Sequence, residues 1–343
     1  MICPTPYTQP DCILLGHGSG GRLSHRLINE LFYPAFKNPL LAQDHDGCVF
    51  PVAAGRMACT TDTFVVTPVF FPGGNIGNLA VNGTVNDLAC CGAIPLYLTA
   101  GFVLEEGMPL NDLRQIVTSM QTAAENAGVS IVAGDTKVVE RGKCDKIFIN
   151  TSGIGVVPEG VHISPASATV GDAVICSGEL GVHGITILST RESLGFETSL
   201  KSDTKALNRM ISALLGKIDE VHVLRDPTRG GAGTTLNEIA LAAGVEIELD
   251  EAALPVPEPV KAASEILGLD PLYIANEGIV LIILPEKHAD EALTLLHQFP
   301  EGKMAKLIGH IVSAGNAQVC LKTLYGNRRI ISMLNGDQLP RIC

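Results

Sequence analysis

The sequence has no apolar run long enough to cross a membrane and no basic run of the kind that contacts nucleic acid. A membrane-spanning helix needs about 20 apolar residues, so an integral membrane protein is disfavoured. The net charge of -12 argues against a phosphate-backbone partner, because nucleic-acid binders concentrate Lys and Arg. Residues 1–6 lack the basic and apolar regions of a signal peptide. We therefore expect a cytoplasmic protein that binds neither nucleic acid nor membrane.

The ten cysteines include no Cys-x-x-Cys pair, which disfavours both a structural zinc site and a thioredoxin-like dithiol. We expect most of them to be small buried apolar residues. Cys343 differs because it closes the sequence, behind Gly336 and Pro340. An extended segment over 336–343 spans roughly 26 Å, far enough to carry a group on the thiol between two sites. The alternative is a frayed terminus with an incidental cysteine.

Length and composition suit two domains with buried cores, since 46% of the 343 residues are hydrophobic and 17% are charged. Predicted strands alternate with helices, and the clearest helix covers 110–127, where apolar residues recur at helical spacing before Gly128. We predict an α+β fold with a lead-in at 1–12, an N-terminal mixed α/β domain at 13–160, a C-terminal α/β domain at 165–335 and a mobile tail at 336–343.

A glycine-rich stretch at 16–22 precedes a predicted short helix at 23–32. Its spacing fits the dinucleotide pattern Gly-x-Gly-x-x-Gly, but only three apolar residues precede it and no clear strand-helix-strand unit follows. A Walker A loop would need Lys-Ser/Thr where Arg22-Leu23 stands. What remains is a set of backbone N–H groups that can approach an anion, with a flexible turn as the alternative. These groups belong to Gly18, Ser19, Gly20 and Gly21.

Four aspartates stand next to Gly, Asn or Thr at the edges of predicted elements. Each alone fits a turn or a cap. Convergent carboxylates with few basic neighbours are, however, what a phosphate-bound Mg2+ requires. One of the four, Asp62, also interrupts a β-branched strand predicted at 57–66, which suggests a role for the carboxylate. The four are Asp46, Asp62, Asp87 and Asp135, the last in a segment, 134–137, predicted to follow a strand at 130–133.

A second charged segment, at 225–231, follows a predicted strand and precedes a predicted helix. It holds two arginines, an aspartate and paired glycines, which suit an anionic ligand better than a plain turn. We expect Arg225 and Arg229 to contact nucleotide phosphates and Asp226 to serve as a further metal ligand.

The order of these motifs resembles the ATP-binding superfamily of aminoimidazole ribonucleotide synthetase and selenophosphate synthetase. The resemblance covers the chain from about Leu14 onward and also uses the motif Asn276-Glu277-Gly278. The closing Pro340-Arg341-Ile342-Cys343 narrows it to the carbamoyl dehydratases of hydrogenase maturation. Residues 1–10 have no counterpart, and Asp46-Gly47-Cys48-Val49 departs from an Asp-Ala-Ala-Val-like family stretch.

The resemblance implies a homodimer whose N-terminal domains form a shared sheet or barrel and hold ATP and Mg2+ near the subunit interface, with a C-terminal α/β sandwich beside them. It implies that Cys343 accepts a carbamoyl group from the carbamoyltransferase HypF. ATP-dependent dehydration then gives a thiocyanate, whose cyano group passes to iron on the HypC-HypD complex as a ligand for NiFe-hydrogenase.

The resemblance also assigns roles to single residues. The aspartates Asp46, Asp62, Asp87 and Asp135 would hold metal and phosphates, with Thr136 beside the nucleotide. Glu277 would remove N–H protons during dehydration, and Lys137 would offset charge on the phosphorylated oxygen.

Three other functions stay open from the sequence. A selenophosphate synthetase-like enzyme would need a reactive Cys followed by Lys, whereas Cys12 is followed by Ile13-Leu14-Leu15. A non-catalytic scaffold docking through its tail would bind partners without ATP turnover. A nicotinamide enzyme built on 16–21 would show cofactor absorbance.

Overall fold

The fold consists of two β-sheets with helices packed against them. The computed structural model describes residues 11–19, 22–41, 48, 50–51, 55–191, 199–334 and 341–343. The strands are β1 (Arg56–Phe64), β2 (Phe70–Phe71), β3 (Gly74–Asn75), β4 (Ile94–Glu105), β5 (Ser130–Val139), β6 (Ile147–Val157), β7 (Asp172–Cys176), β8 (Val223–Arg225), β9 (Val245–Asp250), β10 (Leu281–Pro285), β11 (Lys306–Ala314), β12 (Gln318–Lys322) and β13 (Arg328–Ile331). The helices are α1 (Arg22–Leu27), α2 (Tyr33–Phe36), α3 (Ile76–Cys90), α4 (Leu110–Ala127), α5 (Val182–Ser189), α6 (Asn208–Leu215), α7 (Gly231–Ala243), α8 (Glu258–Leu267) and α9 (Ala289–Leu296).

The first sheet has the strand order β1-β6-β4-β5, with only the β4–β5 pair parallel. Alternate side chains along each strand point to opposite faces, so Phe64, Leu98 and Ile149 are buried while Thr61 and Thr63 are exposed. The described strands form an open sheet within one chain. The barrel expected from the resemblance would need the sheet of a second subunit.

Helix α3 is the central element, because it is buried on all sides. It packs on β1 and β6 of the first sheet and also contacts α6 and β8 of the second half of the chain. Its first turn is capped by Asn75, whose side chain accepts a hydrogen bond from Gly77 N at 2.8 Å. Residues on α3 are therefore held in the junction between the two halves.

The second sheet has seven strands in the order β13-β12-β9-β11-β7-β10-β8, with only β9 and β12 parallel. The inner strands β7 and β10 are short and almost entirely buried, and all but Asp172 of their residues are apolar, as expected for strands covered on both faces. The predicted α+β class is confirmed. Helix α8 and strand β13 were not predicted, although the apolar spacing of Val260, Ala263 and Leu267 after Pro257 is a helix signal.

The helix predicted at 110–127 is confirmed. The strand predicted at 130–133 is wrong in length, because β5 continues to Val139 by pairing in parallel with β4. Residues 134–137 therefore lie inside a strand rather than after it. In the described ranges, no helix is long and apolar enough to cross a membrane.

Candidate active site

Four carboxylates from both halves of the chain meet beside α3, and we call them the acid cleft. Asp62 lies on β1, Asp87 on α3, Asp226 after β8, and Glu277 in the turn before β10. The negative charges of the other three all raise the pKa of Glu277, which shows their proximity. The structure thus brings together residues spread over more than half the chain.

The approach of β1 to α3 depends on a glycine. A Cβ on Gly83 would lie 2.8 Å from the Phe64 ring and 3.7 Å from Asp62 Oδ2, so a larger residue would push β1 away. Asp87 follows Gly83 by one helical turn and so shares its face. Its Oδ2 accepts a hydrogen bond from Thr60 Oγ1 at 2.8 Å, which links helix and strand.

Burial raises the pKa of Asp87 to about 7, with Asp226 and Asp62 adding to the effect. Arg225 opposes the shift, but its guanidinium also pairs with Glu238 at 2.6 Å. Burial likewise raises the pKa of Asp62 and of Asp226. The folded protein therefore crowds negative charge that a bound cation would relieve.

We expect Asp87→Asn to stabilise the protein at high pH. Because the folded pKa lies above the unfolded value, the native state binds more protons between about pH 4 and 7, so wild-type stability falls as pH rises through this window. The variant lacks this loss and should gain on the order of 2 kcal/mol at pH 8 relative to pH 5. Thermal unfolding midpoints at both pH values measure it, with the exposed Asp219→Asn as the matched control. An equal difference at the two pH values would contradict the assignment.

Backbone hydrogen bonds hold Glu277 in place, while one oxygen of its carboxylate has no hydrogen-bond partner among the described residues. Its N–H and that of Gly278 donate to the Asp203 carboxylate at 3.2 and 3.0 Å. A Cβ on Gly278 would fall 1.8 Å from Asp203 O, so the turn requires glycine there. Glu277 is 5% exposed, and its Oε1 has no hydrogen-bond partner among the described residues. Burial, followed by Asp203 and the other acids, raises its pKa well above the usual value.

Two asparagines fix the position of this turn. Asn276 accepts from Gly181 N at 2.7 Å and donates to Pro227 O at 2.9 Å, which ties the turn to the segment carrying Asp226. Asn86 on α3 donates to Glu277 O at 3.4 Å and to Lys205 O at 3.0 Å, and it accepts from Leu207 N at 2.8 Å. Hydrogen bonds between asparagine side chains and the backbone therefore hold the acid cleft together.

The segment Arg341–Cys343 is docked against the first sheet. Val65 N donates to Cys343 O at 3.0 Å, and Thr67 N donates to Arg341 O at 3.2 Å. The Ile342 side chain is 3% exposed and lies in the core with Phe64 and Ile76. Arg341 pairs with Asp145 and lies over the Phe148 ring. Gly336 and Pro340, the predicted hinge residues, lie outside the described residues.

The docked thiol of Cys343 lies close enough to the acid cleft for the charges there to shift its pKa. Burial raises its pKa to about 12, the charges of Glu277 and Asp62 add to the shift, and Arg229 opposes it. The sulfur is therefore protonated at neutral pH and is a poor nucleophile in this position. This arrangement favours chemistry on a group already carried by the sulfur over loading of the sulfur.

A second group of predicted residues lies at the opposite edge of the first sheet. Asp135 accepts from Lys137 Nζ at 2.6 Å and from Thr136 N at 2.8 Å, and the Lys137 hydrogen bond lowers the pKa of Asp135. These residues line a cavity of about 260 Å³ together with Gly18. A Cβ on Gly18 would lie 2.7 Å from Val138 N, so the glycine permits close packing on β5.

This second group does not reach the acid cleft within one chain. Strands β5 and β1 are separated by β4 and β6, and three strand spacings amount to about 14 Å. Lys137 is thus remote from Glu277, although both were expected at one site. The Ser19 hydroxyl donates to Gly16 O at 2.9 Å and serves the local turn. Gly20, Gly21 and Asp46 lie outside the described residues.

Arg225, Asp226 and Arg229 do lie at the acid cleft, as their electrostatic effects on Asp87, Glu277 and Cys343 show. In the part of the chain that the structure describes, no three His, Cys, Asp or Glu side chains are already arranged as a metal site. Any cation there would need oxygen ligands from a bound molecule in addition to the aspartates.

Sequence reasoning missed two residues next to the site, the partly buried Asp203 and the fully buried His183. His183 bonds to Ile342 O, with its Nε2 at 2.9 Å from that oxygen. In the sequence, Asp203 lies in an ordinary polar loop and His183 lies at the start of a predicted helix. Only their tertiary contacts reveal a role, so the sequence carried no local signal for them.

Comparisons with known proteins cover almost the whole chain. Residues 44–157 match the AIR synthase related protein N-terminal domain, and residues 169–322 match the corresponding C-terminal domain. The carbamoyl dehydratase HypE of Azotobacter vinelandii is 52% identical over 95% of this chain and 96% of its own. A crystal structure of the hydrogenase maturation protein HypE in complex with ATP superposes with a TM-score of 0.93 at 49% identity, covering 96% of this chain and 99% of that one. A crystal structure of a HypE-HypF complex matches with a TM-score of 0.79 at 47% identity, covering 89% and 99%.

Proposed function

The chain belongs to the HypE family of AIR synthase related proteins, and we propose from this that it is an ATP-dependent carbamoyl dehydratase of hydrogenase maturation. The observation that carries the proposal is the docked position of Cys343, whose thiol feels the charges of Glu277 and Asp62. Such a thiol is poorly placed to react from solvent but well placed to present a bound carbamoyl group to these acids.

The reaction converts S–C(=O)–NH2 on Cys343 into S–C≡N. The carbamoyl oxygen is a poor leaving group, so it first takes the γ-phosphoryl group of ATP, which gives ADP and releases one N–H proton. The remaining N–H proton is then removed while the C–O bond breaks and phosphate leaves. In the net reaction the carbamoyl group loses the elements of water, and these elements are taken up as ATP becomes ADP and phosphate.

Glu277 is the base in this scheme. Burial and the neighbouring acids raise its pKa, which makes the carboxylate a stronger base, and a cation entering the cleft would favour the deprotonated form that accepts the proton. Its Oε1, unpaired among the described residues, is free to accept an N–H of the carbamoyl group. Asp203 acts through Glu277 by holding its backbone.

The crowded carboxylates fit Mg2+, because a divalent cation would offset the repulsion that raises the pKa of Asp87. Asp62, Asp87 and Asp226 would hold it together with phosphate oxygens of ATP, and Arg225 and Arg229 would contact the phosphates. Bound Mg2+ supplies neutralisation of charge on the transferred phosphoryl group. Asp46 is proposed for the same set from the sequence alone.

A homodimer accounts for the residues left at the far edge of the first sheet. If two open sheet faces cover each other, β5 of one subunit comes near the cleft of the other. Lys137, Asp135, Thr136 and the glycine-rich stretch would then serve ATP across the subunit interface. Lys137 would offset charge on the phosphorylated oxygen.

The relatives suggest the partners. HypF, found with a HypE in a solved complex, is the proposed source of the carbamoyl group. The HypC-HypD complex is the proposed acceptor of the cyano group. We place the reaction in the cytoplasm, because it needs ATP and a reduced thiol.

Intact-mass measurement tests the function directly. After incubation with HypF, its carbamoyl donor and MgATP, the chain should gain the mass of one carbamoyl group and then lose one water. With a non-hydrolysable ATP analogue supplied to the carbamoylated chain, the adduct should persist. A carbamoylated chain that never loses water with MgATP, while still binding its partner, would indicate a scaffold and overturn the proposal.

A further inference from the structure

Two side chains, one on α5 and one just after it, hold the docked tail by the backbone carbonyl groups of the tail. His183 Nε2 lies 2.9 Å from Ile342 O, and Arg191 donates from one terminal nitrogen to Arg341 O at 3.0 Å. The carbonyl groups of Ile342 and Arg341 lie one and two residues before Cys343, the residue proposed to carry the carbamoyl group. The contact at Ile342 is fully buried, because His183 is 0% exposed and Ile342 is 3% exposed.

The hydrogen bonds of His183 define its tautomer. Ile342 O can only accept, so Nε2 must carry the proton. Nδ1 then accepts from Ser202 Oγ, which is 2.7 Å away. The Ser202 hydroxyl in turn accepts from Thr204 N at 3.2 Å, which leaves its own proton for His183. The edge of Phe71 packs at right angles to the imidazole, with ring centroids 5.7 Å apart.

The imidazole of His183 therefore has a fixed position, and its Nε2–H is the hydrogen-bond donor. Burial lowers the pKa of His183, in keeping with a neutral imidazole that donates from Nε2 alone. A histidine kept in one tautomer by one neighbour and aimed at a backbone carbonyl by another is a positioning device.

We propose that His183 is a positioning residue that keeps the Cys343 thiol in the acid cleft by holding the Ile342 carbonyl, with Ser202 fixing the tautomer. This deepens the proposed function, on which its catalytic consequence rests, whereas the docking itself does not depend on that function. Loss of the contact releases the tail while leaving the acid cleft intact.

Two substitutions of His183 separate its two hydrogen bonds. In His183→Gln the amide nitrogen takes the place of Nε2 and keeps the bond to Ile342 O. In His183→Asn the shorter amide takes the place of Nδ1, so the bond to Ser202 stays and the bond to the tail is lost. The two variants match in polarity, and each keeps one of the two hydrogen bonds of His183 and loses the other.

Alkylation of Cys343 by iodoacetamide, followed on its peptide by mass spectrometry in the full-length protein, tests the docking. The docked thiol is slow to react, so its rate reports the open fraction of the tail. We expect a rise of about fivefold to tenfold in His183→Asn, the effect of one buried hydrogen bond, and a rate close to wild type in His183→Gln.

Other thiols in the same sample provide the controls. Cys59 and Cys91 are exposed and should react at unchanged rates, and the buried Cys176 should stay protected unless the fold opens. Equal Cys343 rates in His183→Asn and wild type, with Cys176 protected, would overturn the proposal. Ser202→Ala should give an intermediate rate and add nothing in the His183→Asn background; an additive effect would remove Ser202 from the role assigned to it.

Turnover distinguishes failure of this inference from failure of the function. In His183→Asn, HypF should carbamoylate Cys343 at least as fast as in wild type, while dehydration slows by no more than about twofold, because the tail stays docked most of the time, and recovers in His183→Gln. A faster alkylation of Cys343 combined with no dehydration in any variant, wild type included, would overturn the proposed function and still support the docking role.

Discussion

Replacing Cys343 by alanine is expected to abolish both mass changes, the carbamoyl gain and the later loss of water. The reason is covalent: the sulfur carries the group throughout, and the tail brings the Cys343 thiol close to Glu277 and Asp62. Intact-mass spectra with HypF, its donor and MgATP measure the effect, and no residual activity should remain.

Cys91→Ala is the matched control for this substitution. Cys91 is exposed and lies close to the same acids, since Asp87 and Asp226 both raise its pKa after burial does. Its variant should gain and lose mass like wild type. Either mass change in Cys343→Ala would show that another thiol, or another residue, carries the group.

Glu277→Gln is expected to separate the two stages of the reaction. Carbamoylation should proceed normally, because it occurs with the tail outside the cleft, while dehydration should fall by roughly 10²–10⁴-fold, the usual effect of a general base. Mass spectra taken over time should show the carbamoyl adduct accumulating. A normal rate of water loss would remove Glu277 from the role of base.

The pH dependence gives a second check on the same residue. The pKa of Glu277 is raised in the fold, so its basic form grows as pH rises, and wild-type dehydration should accelerate with pH while the Gln variant does not. A raised folded pKa also means that wild-type stability falls as pH rises through the folded value. The thermal midpoint of Glu277→Gln at neutral pH should therefore be no lower than that of wild type, which excludes unfolding as the cause.

Much of the site was predictable from residue types at motif positions. Asp62, Asp87, Asp226, Glu277 and Cys343 each stood out as charged or reactive groups beside glycine, asparagine or an element edge. Their convergence could be expected only through the resemblance to a family. The structure brings these five residues into one place.

What the sequence could not provide is the order of strands in space. Lys137 was expected beside Glu277, but β5 pairs only with β4 and so lies at the far edge from β1. The role of Asp203 could not be predicted from the sequence for a related reason. Its function depends on accepting from the amides of Glu277 and Gly278, more than seventy residues later, and nothing in a polar loop signals such a contact.

The burial of Ile342 sets a condition on how the thiol is loaded. Moving an isoleucine from an apolar core into water costs about 1.5–3 kcal/mol, so in the isolated protein this segment leaves its docked position only a small part of the time. A loading protein with an apolar pocket for the Ile342 side chain would offset this cost and favour the undocked state of the segment. Small electrophiles in the cell have no such pocket. The selectivity of the Cys343 thiol for the correct donor then depends on Ile342.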